Sequence, residues 1–184
     1  MRIVGGKYKR RIISAPKNLP VRPTTDLAKE SLFNILGNQV DLEEKSVVDL
    51  FSGTGNIAYE FVSRGAQTVL AVETNFPCVK FIRQTATLME MNELSVIQSD
   101  VFRFLKSGSQ SYDLIFADPP YALENIPEIA TLVFANNRLK PDGWLIIEHP
   151  RSVDFSEFPH FHSHRKYGKV NFSFFHLEED EDPE

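Results

Sequence analysis

Two stretches of this chain combine residue types and spacings that could do chemistry: Ala117-Asp118-Pro119-Pro120-Tyr121 and Asp49-Leu50-Phe51-Ser52-Gly53-Thr54-Gly55. The first suits an attack by an aromatic amino group. Such a nitrogen is a poor nucleophile because its lone pair is delocalised into the ring, and acceptors that hold its two hydrogens favour the geometry in which it attacks. The Asp118 carboxylate and the Pro119 carbonyl are acceptors of that kind. Pro119 and Pro120 stiffen the loop, and Tyr121 offers a face for stacking a base extruded from its helix. Stacking of this sort is worth about 1 to 3 kcal/mol per base. Asp-Pro-Pro is also an acceptable turn after any strand, so its weight comes from what accompanies it.

The accompaniment is the glycine stretch. Gly53 and Gly55 remove side chains where a ligand would approach the backbone, and Glu73, 20 positions past Gly53, is spaced to accept from two ribose hydroxyls. Gly-x-Gly alone says little; with a strand before it, a helix after it and the acidic residue beyond, it points to a nucleoside-type cofactor. Two aspartates argue against a dinucleotide. A carboxylate at Asp49 disfavours a pyrophosphate but suits the cationic amino group of a methionine moiety. Asp100 is placed to accept from an adenine amino group, with Val101 and Phe102 packing on the ring. Each aspartate also has a plainer reading as a helix cap.

These residues need an α/β frame, and the hydrophobic pattern supplies one. Strands are predicted over 47–51, 68–73, 95–98, 112–117 and 144–148, and helices over 57–64, 77–91, 101–105 and 126–136. Short apolar strands separated by helices indicate a mostly parallel sheet covered on both faces. Both chemical stretches then fall at strand ends, where open α/β sheets bind ligands. Residues 161–166 and 170–177 flank Tyr167-Gly168 and read as an antiparallel pair closing one edge of the sheet. Ahead of the frame, Thr25 or Asp26 caps a helix whose apolar face is Leu27, Leu32, Phe33, Ile35 and Leu36, with Gly37 as its stop.

The organisation expected is a basic arm or hairpin over 1–25, a single catalytic domain over 26–177 and a disordered acidic tail over 178–184. The arm carries seven basic side chains and no acidic one, and the tail six acidic and no basic one, so the formal net charge of −5 conceals a local basic patch. A length of 184 residues fits one domain, and 42% hydrophobic with 24% charged residues is ordinary for a soluble protein. Neither a membrane span nor a signal peptide's apolar stretch is present, which predicts a cytoplasmic protein with no membrane partner. Cys78 reads as a partly buried thiol. His160, His162 and His164 alternate and would share one exposed strand face; no partner of matching spacing supports a metal site, and none is expected. The residues carry no signal for oligomeric state.

The pairing of DLFSGTGNIAYE with ADPPY resembles the class I methyltransferases that modify amino groups. RPTTDLAKESLFNIL over 22–36, together with the basic start GGKYKRR, resembles the RsmD family of 16S ribosomal RNA guanine-N2 methyltransferases. The likeness covers almost the whole chain in the same order and departs at the acidic tail. It implies a Rossmann-like fold, a seven-stranded mostly parallel sheet with its last strand reversed, flanked by helices and preceded by the basic arm. It also implies S-adenosylmethionine as cofactor, held by Asp49, Phe51, Ser52, Gly53, Gly55 and Glu73, with Asp100, Val101 and Phe102 at the adenine and Thr25 near the methionine end. Asp118, Pro119, Pro120 and Tyr121 would hold the guanine. Lys7, Lys9, Arg10, Arg11 and Arg22 would meet 16S ribosomal RNA or the small ribosomal subunit.

Three other readings compete. Asp-Pro-Pro-Tyr serves a DNA adenine-N6 methyltransferase equally well, although the chain leaves no spare region for a DNA-reading domain. Protein glutamine methylation is expected to use Asn-Pro-Pro-Tyr, and this chain has Asp118. A non-catalytic RNA-binding assembly factor that keeps the fold would fail to bind the cofactor.

Overall fold

The structure is a computed structural model that describes residues 1–16, 19 and 25–178; the expectations for Arg22 and for the tail beyond Glu178 lie outside the described residues. The chain divides into two compact units, Met1–Val101 and Phe102–Glu184.

In the first unit α1 (Asp26–Leu36), β1 (Ser46–Leu50), α2 (Asn56–Ser63), β2 (Thr68–Glu73), α3 (Phe76–Leu88) and β3 (Leu94–Gln98) alternate. β1 pairs with β2 and β2 with β3, both in parallel. Every residue of β1 is buried, which is why it reads as a continuous apolar run broken only by Asp49. It stops one residue earlier than expected because Phe51 has a φ of 58° and leaves the strand. Two helix starts are fixed by side chains: Thr25 Oγ1 accepts from the Ala28 N–H at 3.3 Å, and Asn75 Oδ1 from the Cys78 N–H at 3.1 Å. The expected face of α1 needs correction at Leu27, which is 74% exposed. Its buried stripe is Ala28, Lys29, Leu32, Phe33 and Leu36, the side on which Lys29 pairs with Glu60 and Phe33 meets Phe61 edge-on at 5.0 Å.

That ion pair fastens the basic arm. Lys29 and Glu60 are both fully buried with 3.1 Å between Nζ and Oε1, and Lys29 also donates to Asn56 Oδ1 at 3.0 Å and to the Arg2 carbonyl. Glu60 Oε1 accepts from the Val4 N–H at 2.6 Å. The arm folds back on itself through one antiparallel bridge, Arg2 to Ile12, and seats its turn on the end of α2. There the Lys7 N–H donates to the Ser63 carbonyl at 2.7 Å and the Tyr8 N–H to Ser63 Oγ at 3.0 Å. Gly6 is required at this contact: its φ is 72° and a Cβ would lie 1.7 Å from the Ser63 carbonyl oxygen.

The second unit follows α4 (Val101–Ser107) with β4 (Tyr112–Ala117), α5 (Ile126–Ala135), β5 (Leu139–His149), β6 (Phe161–Tyr167) and β7 (Val170–Leu177). β5 begins five residues before its predicted start. Lys140-Pro141-Asp142-Gly143, whose residues suggest a turn, is instead a bulge that shifts the register with β4 from Tyr112–Leu139 to Leu114–Trp144. β7 runs antiparallel to both β5 and β6, so the reversed strand lies between them. The strand order is β3-β2-β1-β4-β5-β7-β6, a seven-stranded mixed sheet with flanking helices, as expected.

The histidines do not share one face. A bulge between Phe161 and Ser163 redirects β6. His162 meets Trp144 edge-on at 5.0 Å, whereas His164 Nε2 reaches Asn171 Oδ1 at 3.2 Å on the side of His149. His160, with a φ of 62°, precedes the strand and stacks on Phe134 at 4.5 Å.

Candidate functional site

β1 carries Asp49 to the edge of the glycine loop, and the loop is built on left-handed residues, with φ of 58° at Phe51, 54° at Gly53 and 82° at Gly55. Gly55 precedes α2, and a Cβ there would stand 2.8 Å from the ring of Tyr59, so local packing as well as backbone conformation demands glycine. Asp49 is buried and serves the helix start: its Oδ2 accepts from the Ala58 N–H at 3.1 Å. Ser52 Oγ donates to the Asp49 carbonyl at 2.6 Å and so ties the loop to the strand. Burial pushes the Asp49 carboxyl up to about 8, against the opposing pull of hydrogen bonds from Ser52 and Ala58.

Glu73, at the end of β2, closes the loop from the other side. Its Oε2 accepts from the Gly53 N–H at 2.8 Å and its Oε1 from the Asn75 N–H at 2.8 Å. Asp49, Ser52, Gly53 and Glu73 are thus brought together in one unit, as their spacing suggested. Gly55 and Phe51 shape the loop beside them. This arrangement suits a nucleoside-type cofactor: a carboxylate for ribose hydroxyls beside bare backbone, and a second carboxylate whose burial a cationic amino group would relieve.

Asp100 is exposed just before α4, Val101 is buried and Phe102 half-buried. Thr25, exposed, is engaged in capping α1.

In the second unit β4 ends at Ala117 and delivers Asp118, half-buried, followed by buried Pro119 and exposed Pro120. Tyr121 keeps 47% of its surface accessible, and its hydroxyl donates to Glu148 Oε1 at 2.9 Å. Burial raises the Tyr121 hydroxyl pKa, and the Glu148 and Asp118 carboxylates add to the rise. Glu148 itself is buried, and its Oε2 has no hydrogen-bond partner. Burial raises its carboxyl too, while the Tyr121 hydrogen bond acts in the opposite direction. Sequence reasoning missed Glu148. Its signal was an acidic residue at the end of a buried strand, the pattern that drew attention to Asp49 and Glu73.

Of the arm residues, Lys7 pairs with Glu93 at 2.6 Å, which raises the lysine's pKa and lowers the glutamate's. Lys9, Arg10 and Arg11 are exposed, and their side chains have no ion-pair partner among the described residues. Among those residues no helix is long and apolar enough to cross a membrane.

The strand order and the loops at the ends of β1 and β4 define a Rossmann-like α/β protein of the class I methyltransferase type. A family model described as "Conserved hypothetical protein 95" matches residues 1–176, and the chain belongs to that family, the RsmD family that its motifs resemble. It is 30% identical over 154 residues to ribosomal RNA small subunit methyltransferase D of Buchnera aphidicola subsp. Baizongia pistaciae, covering 84% of this chain and 78% of that one. The protein of the same description from Escherichia coli K12 is 27% identical over 148 residues, covering 80% and 71%. Among solved structures, a hypothetical protein of Thermus thermophilus superposes with a TM-score of 0.81 at 22% identity, covering 95% of this chain and 98% of that one. Coclaurine N-methyltransferase, solved with N-methylheliamine and SAH, gives a TM-score of 0.57 at 18% identity over 68% of this chain and 36% of its own.

Proposed function

We propose that the protein transfers a methyl group from S-adenosylmethionine to the exocyclic N2 amino group of a guanine in 16S ribosomal RNA of the small subunit. The observation that carries the reading is Asp118-Pro119-Pro120-Tyr121 at the end of β4, in a family whose relatives are described as small-subunit ribosomal RNA methyltransferases. In this reading the base leaves its stack and rests on Tyr121, and Asp118 and the Pro119 carbonyl hold the hydrogens of its amino group. S-adenosylmethionine, when bound, would supply the methyl group to that nitrogen and be left as S-adenosylhomocysteine, and the proton shed by the nitrogen would pass to solvent. Glu73 and the glycine loop hold the nucleoside part of the cofactor, Asp100, Val101 and Phe102 its adenine, and Asp49 and Thr25 its methionine end. Residues 26–177 act as the catalytic domain in the cytoplasm, and Lys7, Lys9, Arg10 and Arg11 bring phosphates to it.

The test is to incubate the protein with S-adenosylmethionine carrying a labelled methyl group and to offer unmodified 16S RNA, small subunits and duplex DNA in parallel. Mass spectrometry of the nucleosides and mapping of the position then identify the product. N2-methylguanine in RNA is the expected result. N6-methyladenine in DNA alone would replace the ribosomal reading with the DNA one, and failure to bind the cofactor would favour an assembly factor.

A further inference from the structure

Glu148 has no assigned role, yet it is the acidic group most closely tied to the Asp118 loop. Ala117 pairs with Ile147 across β4 and β5, so Asp118 leaves β4 directly after the residue paired beside Glu148, and the carboxylates of both act on the Tyr121 hydroxyl. One Glu148 oxygen anchors the hydroxyl of Tyr121, the residue proposed to stack the base. The other is buried without a partner in a residue only 7% exposed. A buried carboxylate oxygen with no donor is costly, and its place beside the acceptor loop indicates a donor supplied by the substrate.

The edge of the base decides what that donor is. Guanine presents its N2 amino hydrogens and its N1–H side by side, two donors facing the same way. Adenine presents its N6 amino hydrogens beside N1, which is an acceptor. Two adjacent carboxylates match the first pattern and repel the second.

Resting on the guanine reading above, we infer that Glu148 is a specificity-determining residue: its Oε2 accepts the N1–H of the guanine whose amino group is held at Asp118, while its Oε1 fixes Tyr121 under the base. The N1–H is not transferred; the hydrogen bond selects the base and orients it.

The probe is RNA, as free chain or reconstituted subunit according to which proves competent above, with 2-aminopurine in place of the mapped guanine. This base keeps the N2 amino group but has an acceptor at N1. The wild-type protein is expected to prefer guanine about 10- to 150-fold in kcat/KM, the value of one hydrogen bond to a charged group. Glu148→Gln, whose amide can donate to N1 of 2-aminopurine, is expected to lose most of that preference. Tyr121→Phe, which keeps the carboxylate, is expected to lower both rates and retain the preference. A wild-type protein that uses the two bases equally overturns the inference without recourse to any variant. So does a Glu148→Gln protein that slows on both bases with the ratio unchanged, the signature of a merely structural role. Absence of N2-methylguanine with the wild-type protein overturns the guanine reading itself and this inference with it.

Discussion

Glu73 grips Gly53: the carboxylate Oε2 accepts the glycine's backbone N–H at 2.8 Å, so the residue spaced to meet a ribose also holds the loop beneath it. Both functions disappear in Glu73→Ala. A hydrogen bond to a charged group is worth about 1.5 to 3 kcal/mol, so affinity for S-adenosylhomocysteine is expected to fall about 10- to 150-fold in isothermal titration. Retention of wild-type affinity would remove Glu73 from the cofactor site.

Asp49 gives the protein a pH dependence. Its folded carboxyl is raised from 3.8 to about 8, so the folded state holds this proton more tightly than the unfolded state does. The resulting stability is complete below the unfolded value of 3.8 and is lost as pH rises through about 8. Denaturant titrations of Asp49→Asn are expected to show a flatter stability profile across that window. A cationic methionine amino group beside Asp49 favours the ionised carboxylate, so binding of S-adenosylhomocysteine is expected to tighten as pH rises toward about 8, and to do so less in the variant. Equal pH slopes for the two proteins would reduce Asp49 to a helix cap.

Asp118→Ala separates chemistry from cofactor binding. Methyl transfer is expected to be abolished while affinity for S-adenosylhomocysteine is largely unchanged, because Asp118 is proposed to act on the acceptor nitrogen alone. Wild-type activity in a single-turnover assay with labelled methyl would exclude Asp118 from the reaction.

The buried pair Lys29 and Glu60 is a point of fragility. Lys29→Met removes the shorter of the two ion pairs of buried Glu60 and leaves it only Arg64, with 3.4 Å between Nε and Oε2, a loss of about 3 to 5 kcal/mol. Thermal melts are expected to shift down by roughly 6 to 20 °C, and the arm, which hangs on the same pair through Arg2 and Val4, should become sensitive to protease. A melt within about a degree of wild type would show that the pair contributes nothing net.

Lys9, Arg10 and Arg11 are expected to act on RNA through phosphates. Changing all three to Ala should weaken RNA binding for every sequence alike and flatten the dependence of log affinity on log salt by about 0.7 for each single-strand phosphate that the arm no longer neutralises. An unchanged salt slope would leave the arm a solvated face. Lys7 should matter less, because Glu93 already neutralises it.

Much of the fold and the outline of the site were legible from local pattern. Apolar runs of strand length alternating with helical periods indicated the parallel strands, because a strand buried on both faces has no polar alternation to hide it. Glycines followed by Glu73, and Asp-Pro-Pro-Tyr after β4, marked the two strand ends because their residue types are poor choices for packing alone. What failed was set by partners distant in sequence. Leu27 satisfies the helical period of α1 yet stays in solvent, since the face that meets α2 carries Lys29 to Glu60 and Phe33 to Phe61. β5 starts at Leu139, ahead of the predicted apolar run from Trp144, because pairing with β4 absorbs Pro141 and Gly143 as a bulge. The bulge in β6 similarly parts histidines that a regular strand would have aligned.

By itself, then, the sequence determined the order of elements and the chemical types offered at the strand ends, because both depend on neighbours along the chain. Only the tertiary structure decided which of those groups are already engaged. Glu73 commits its oxygens to Gly53 and Asn75, Asp49 serves Ala58, and Glu148 comes to Tyr121 from 27 residues away with one buried oxygen unmatched. Hydrogen-bond partnership and desolvation are properties of the folded neighbourhood, and no spacing along the chain encodes them.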